Sequence, residues 1–328
     1  MSMTRRLFVA ASAAAICRAQ DPVFSADSRV VTLLASVRDS SGRLIPDLTR
    51  DDFWLREEGN PVEIRYFSRE TDLPLTVGLL IDTSKSQMAV LERERRGAYA
   101  FLERVLRPDR DSALVMSFDA KVKVLCRPTA ALPDLQKGLT EANLPLRTNP
   151  RKKAGPEPKK KDIAGGTKLQ TSVRQCADEF MRKAQGRKAM LLLTDGVDEG
   201  SRTTLDEAIE HAQRSDTLVY SILYADPNGH GRKIADSATG LTRMGLKGRR
   251  ILTELARQTG GGFYIVTPDH PLEQILDEIQ AELRTQYSVG FIPAGFAAGA
   301  GSGEYRAIAL GCTRPGLVVR AREGYYAR

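Results

Sequence analysis

Asp82, Ser84 and Ser86 set one carboxylate and two hydroxyls at alternate positions directly after an apolar run, Leu75 to Ile81. Side-chain oxygens of this kind suit hard divalent cations such as Mg²⁺, Mn²⁺ or Ca²⁺. Two further segments offer the same chemistry. Gly165-Gly166-Thr167 enters a helical pattern, and Leu191-Leu192-Leu193-Thr194-Asp195-Gly196 leaves an apolar one. The combined inventory is three hydroxyls, from Ser84, Ser86 and Thr167, and two carboxylates, from Asp82 and Asp195. Water in the remaining places would complete an octahedron. If the aspartates act partly through water, three neutral hydroxyls leave the ion under-neutralised. Such an ion attracts one more anionic oxygen, and an Asp or Glu carboxylate of a partner protein would supply it.

These segments need a scaffold that brings them to one edge. An apolar run such as 75–81 fits a strand buried on both faces of a parallel sheet. In open α/β sheets, ligands bind beyond the carboxyl ends of such strands. The pattern after residue 75 alternates accordingly. Helices are expected over 87–106, 133–141, 167–184, 205–214, 250–258 and 271–285. Strands are expected over 113–118, 121–125, 189–194, 217–224 and 263–266. The close pair 113–125 suggests one antiparallel edge strand. Gly260-Gly261-Gly262 marks a helix end. This order predicts an α/β fold, a Rossmann-like, doubly wound and mainly parallel sheet.

Both ends of the chain read differently. Residues 30–38, 52–57 and 61–68, then 287–292, 305–310 and 317–321, have short β patterns. They predict a small β-sandwich built from both termini, with Trp54 in its core and the α/β domain inserted between its halves. The expected divisions are 1–19 (signal peptide), 20–73 (first part of the sandwich), 74–285 (α/β domain with the metal site) and 286–328 (second part).

Asp82-x-Ser84-x-Ser86, Thr167 and Asp195-Gly196 together resemble the metal-ion-dependent adhesion site of von Willebrand factor type A domains. Every position of that pattern, DxSxS, then threonine, then aspartate, is matched. The resemblance covers about residues 74–285. It implies a six-stranded Rossmann-like fold, Mg²⁺ or Mn²⁺ at its top, and a protein ligand that supplies an acidic residue. The flanks, Val37-Arg38-Asp39, Leu48 to Phe53 and Arg322-Glu323-Gly324-Tyr325-Tyr326, are similar to a bacterial subgroup described in acidobacteria. Two long inserts, 146–163 and 226–247, depart from the pattern. The first carries Arg147, Arg151, Lys152, Lys153, Lys159, Lys160 and Lys161 just before Thr167. These cations would favour an acidic partner or lie solvated.

The 328 residues are 41% apolar and only 6% aromatic, with a formal charge of +8. Arg5 and Arg6 precede an apolar run, Leu7 to Cys17, that is short for a membrane span. This predicts export to the periplasm or medium, with cleavage after Ala19 and a possible twin-arginine signal. Cleavage before Cys17 as a lipoprotein is the rival. Losing Arg5, Arg6 and Arg18 lowers the charge to +5. No later run is long enough to span a membrane. Cys126, Cys176 and Cys312 would remain, and none has metal-finger spacing. They are expected as small buried residues, although export permits a disulfide.

Catalysis is poorly supported. The chain has no GxSxG elbow and no P-loop. No histidine among His211, His230 and His270 is spaced to act as base or ligand. The basic run lacks interleaved aromatics for nucleic-acid stacking. Gly165 and Gly166 are expected to allow close backbone approach to the ion. Asp198 stands either behind Asp195 or in a surface turn. The leading expectation is an exported adhesion-type binding module. The alternatives are a structural domain whose metal braces the loops and, behind it, a metal-dependent hydrolase.

Overall fold

A computed structural model describes residues 30–69, 73–142, 166–224, 243–293 and 303–327. The expected signal segment, insert 146–163, Gly165, His230 and most of the second insert lie outside them.

The N-terminal stretch forms β1 (Val31–Arg38), β2 (Phe53–Glu57), β3 (Asn60–Pro61) and β4 (Tyr66–Arg69). The central stretch forms β5 (Leu75–Asp82), α1 (Leu91–Val105), β6 (Ser112–Phe118), β7 (Val122–Thr129), α2 (Leu132–Glu141), α3 (Leu169–Glu179), β8 (Arg187–Thr194), α4 (Leu205–Arg214), β9 (Thr217–Leu223), α5 (Arg243–Thr259), β10 (Phe263–Ile265) and α6 (Leu272–Arg284). The C-terminal stretch adds β11 (Tyr287–Phe291), β12 (Tyr305–Cys312), β13 (Val318–Arg320) and β14 (Gly324–Tyr326).

The central sheet has the order β10-β9-β8-β5-β6-β7. Its neighbours pair in parallel except β6 and β7, which form the expected antiparallel edge. All eight residues of β5 are buried, as a strand covered on both faces requires. One face packs against α1, α2 and α6 through Phe101, Leu102, Leu135, Ile275 and Ile279. The other packs against α3, α4 and α5 through Leu169, Val173, Ala208, Leu252 and Leu255. Helices on both faces make the sheet doubly wound. The strand β5 lies at its middle, so its carboxyl end opens onto the centre of one sheet edge.

The chain ends interleave in two antiparallel sheets, β13-β1-β11-β4 and β14-β12-β2-β3. Phe53, Phe67 and Tyr287 cluster between them, with ring centroids 5.3–5.7 Å apart. Trp54 is not in that core. Alternation along β2 sends Phe53, Leu55 and Glu57 inward and Trp54 and Arg56 outward, leaving Trp54 43% exposed. The Arg56 guanidinium lies over its ring at 5.6 Å.

Two other expectations change. The fifth helix begins at Arg243, inside what the sequence reads as irregular insert. The stretch 167–184 is α3 plus a short turn, Met181–Lys183. Of the three cysteines among the described residues, Cys126, Cys176 and Cys312, only Cys176 is buried, and all three are free thiols. Among the described residues, no helix is long and apolar enough to cross a membrane.

Contacts of Glu282 and of Arg322 tie the outer β unit to the central domain. Glu282 of α6 is 1% exposed and binds Arg38 of β1 and Arg320 of β13, each at 2.8 Å. It also accepts the Tyr220 hydroxyl of β9 at 3.0 Å. The buried Arg322 donates to the carbonyls of Thr32 and Gln213 and to Asp216.

Candidate metal centre

Asp82 is the last residue of β5 and is fully buried. The chain turns sharply after it. The Ser84 amide donates to Asp82 Oδ1 at 2.9 Å, an Asx-type turn. The Thr194 hydroxyl, at the end of the neighbouring β8, donates to Asp82 Oδ2 at 2.6 Å. One carboxylate oxygen is therefore oriented by the turn after β5 and the other by the end of β8. The Ser84 and Ser86 hydroxyls lie 3.0 Å apart on the exposed side of the same turn. Three of the five expected residues thus form one continuous cluster.

Asp195 follows Thr194 and is half-buried, with Oδ1 accepting from the Val197 amide at 3.0 Å. Its charge acts directly on Asp82. Burial, with a smaller push from the Asp195 carboxylate, raises the Asp82 pKa from its ordinary value to about 6, against the opposing hydrogen bonds from Thr194 and Ser84. The loop around Asp195 is closed by glycine contacts. Gly196 has φ +77°, and a Cβ there would lie 2.6 Å from the Gly248 carbonyl oxygen of α5. A Cβ at Gly248 would lie 2.4 Å from the Asp195 carbonyl oxygen.

Thr167 enters through its backbone. Its carbonyl accepts from the Glu199 and Gly200 amides at 3.2 and 3.0 Å, which ties the start of α3 to the segment just past Asp195. Asp198 reinforces the tie. Its two oxygens accept from the Gln170 and Ser201 amides at 2.8 and 3.0 Å. Asp198 is therefore a loop-to-helix clasp, satisfying an orphan amide at the start of α3. Gly166 lies against Glu199 and Gly200, where a Cβ would come within 2.7 Å. The Thr167 side chain is half-buried and makes no hydrogen bond among the described residues. The structure joins Asp82, Ser84 and Ser86 directly, couples Asp195 to them by charge, and holds Thr167 on the adjoining loop.

Two participants escape the sequence reading. One is Thr194, which looks like an ordinary strand residue. The other is Glu94, in the first turn of α1. Glu94 is fully buried, and neither carboxylate oxygen has a hydrogen-bond partner. Burial, then the charges of Asp82 and Asp195, raise its pKa to about 8. A signal was available. Leu91, Ala98, Leu102 and Val105 trace the apolar stripe of α1, and residue 94 falls on that stripe.

Among the described residues, no three His, Cys, Asp or Glu side chains converge closely enough to chelate an ion by themselves. The hydroxyls must complete any inner donor set, which suits Mg²⁺ or Mn²⁺ rather than a soft metal. A buried carboxylate, a half-buried one beside it and an unpartnered third acid are what a cation would compensate. The donor chemistry fits a hard divalent ion.

The raised values have a consequence for stability. Asp82 and Glu94 hold protons in the folded chain at pH values where the unfolded chain has released them. Their contribution is fully present below about pH 4 and is lost as pH rises through about 6 and then 8. Metal-free protein is therefore expected to lose several kcal/mol between about pH 4 and pH 8 from these two groups, at about 1.4 kcal/mol per unit of raised pKa. Saturating Mg²⁺ should flatten the decline. Thermal melts across that range, with EDTA or with Mg²⁺, read it; a metal-free stability that climbs towards pH 8 would refute it.

No family model and no curated protein matches the chain. Solved structures with partial likeness include BatB from Bacteroides thetaiotaomicron, 17% identical, covering 64% of this chain and 99% of that one, with a TM-score of 0.45. A von Willebrand factor type A protein from Catenulispora acidiphila is 11% identical, over 81% of this chain and 74% of that one, with a TM-score of 0.45. Proximal thread matrix protein 1 from the mussel byssus, with a zinc-occupied MIDAS motif, is 13% identical over 68% and 48%, with a TM-score of 0.46. The site of this chain itself carries the functional reading. With six strands in the order found here, an antiparallel edge and helices on both faces, the central domain has the doubly wound α/β architecture that the resemblance of its motifs to von Willebrand factor type A domains implies.

Proposed function

We propose that this chain is an exported, metal-ion-dependent protein-binding module. Ser84, Ser86 and Thr167 would hold a Mg²⁺ or Mn²⁺ ion directly, and Asp82 and Asp195 directly or through water. The bound ion would supply positive charge at the rim, where a partner's Asp or Glu carboxylate could reach it. The observation that carries this reading is the graded exposure of the donors. Asp82 is buried and oriented by the turn after β5 and the end of β8, whereas Ser86 is exposed and Ser84 half-buried. Such a site is anchored beneath and open above.

Binding is favoured over catalysis by the placement of the two histidines among the described residues. His211 pairs with Asp178, at the far end of α3 from Thr167, and His270 pairs with Glu278. Neither faces Ser84 or Ser86 as a base. The basic stretch 146–163 would favour an acidic partner electrostatically.

A second reading has one specific observation behind it. The buried Glu94 adds a negative charge behind the site. That compensates the ion from within and fits a metal that braces the loops. Affinity capture from a cell-surface extract in Mg²⁺ separates the two. Capture abolished by EDTA and by Thr167→Ala is expected; capture indifferent to both would favour the brace.

A further inference from the structure

We propose that Glu94 is a third carboxylate of the cation centre, one that stabilises the bound ion by its charge without chelating it. The inference rests on the metal reading of Asp82, Ser84, Ser86, Thr167 and Asp195 and extends it.

The placement is specific. The helix α1 follows directly from the Asp82–Ser86 turn, through Gln87 and Val90. The Gln87 amide donates to the Ser84 carbonyl, and the Leu91 amide to the Gln87 carbonyl, each at 3.0 Å. Glu94 stands seven residues beyond Gln87, in the first turn of α1. Gln87 is 1% exposed and Glu94 0%. Gln87 Oε1 and both Glu94 oxygens are buried without a hydrogen-bond partner. These are three buried oxygen acceptors with no donor, on the segment that follows Ser84 and Ser86, and the charges of Asp82 and Asp195 reach Glu94.

Such an arrangement is costly in a core. An unpaired buried carboxylate is destabilising unless a proton or a cation compensates it. No arginine or lysine contacts Glu94 among the described residues, although Arg93 and Arg95 flank it; they bind Tyr224 and Glu92. A leucine would fill this position of the apolar stripe without that cost. The charges that reach Glu94 are those of Asp82 and Asp195, and a dication between those two would reverse the local field. With Glu94 the protein supplies three negative charges to the ion in place of two. The ion is held more firmly, and its pull on an outside carboxylate is weaker than at a two-carboxylate site.

The test is calorimetric titration of Mg²⁺ and of Mn²⁺ into wild type and Glu94→Gln, in mildly alkaline buffer. The near-isosteric variant should bind each ion at least about tenfold more weakly. Its melting temperature in EDTA should match or exceed that of wild type, because an unpaired charge has been removed. Wild-type affinity in Glu94→Gln overturns the proposal. Failure of wild type itself to bind either ion would instead remove the metal reading on which it rests. Should the variant not fold, wild-type crystals grown with Mn²⁺ decide. Glu94 is expected within about 6 Å of the ion, the range over which a charge acts strongly. A Glu94 beyond that range, or paired with a basic side chain, overturns the proposal.

Discussion

Asp82→Asn should reduce Mg²⁺ and Mn²⁺ affinity at least about 100-fold, about 3 kcal/mol, while the protein stays folded. The asparagine keeps the shape of Asp82 and an oxygen for Thr194 or Ser84, but it removes one negative charge from a buried position. Near a dication at reduced dielectric, that charge is worth several kcal/mol. Folding should not suffer, because the native environment already disfavours the ionised acid, as its raised pKa shows. Asp82→Ala should lose binding equally but also strand the Thr194 hydroxyl, which is buried. The pair of variants thus separates charge from hydrogen bonding. Calorimetry on both, beside thermal melts in EDTA, reads the two effects. Unchanged affinity in Asp82→Asn would show that no cation sits against this carboxylate.

The second large effect concerns the joint between the β unit and the central domain. Glu282→Ala is expected to destabilise the protein by about 3 kcal/mol. Removing one partner of a buried ion pair leaves the other charge uncompensated. Here two arginines would be stranded together, Arg38 and Arg320, with side chains 19% and 33% exposed. That partial exposure tempers the loss, which for a fully buried set would be larger. The buried Tyr220 hydroxyl would lose its acceptor as well. Glu282 touches both chain ends at once, since Arg38 lies in β1 and Arg320 in β13. The denaturation midpoint should fall by about 5 °C. Glu282→Gln, which keeps an acceptor for Tyr220, should fall part of the way. A midpoint shift of about 2 °C or less in Glu282→Ala would mean that the network does not hold the two parts together.

The metal-site motif was legible because its signals are local. An apolar run that stops at Asp82 reads as a buried strand with a polar exit, and Leu191 to Asp195 repeats the signal. Glu94 is not legible as a buried residue because it stands among the charged Glu92, Arg93 and Arg95. Only its phase on the helix, with Leu91 and Ala98, separates it from them. Trp54 shows the converse. Its size suggested a core position, but a strand's two-residue period outranks side-chain size, and Phe53 and Leu55 occupy the inward positions. The start of α5 was hidden by Gly245 and Gly248, which weaken any helical signal. Gly248 is explained only by a tertiary contact, its close approach to the Asp195–Gly196 turn. The interlocking of the chain ends was foreseeable as β pattern, whereas the Glu282 network joins residues up to 244 positions apart and leaves no local trace.

The most direct measurement is anomalous diffraction from crystals of the wild-type protein grown with Mn²⁺. The account predicts one manganese peak at the carboxyl edge of the central sheet, with the Ser84, Ser86 and Thr167 hydroxyls on it and Asp82 and Asp195 on it or on its waters. Crystals in which these five side chains surround no ion, or in which manganese occupies some other place, would contradict it.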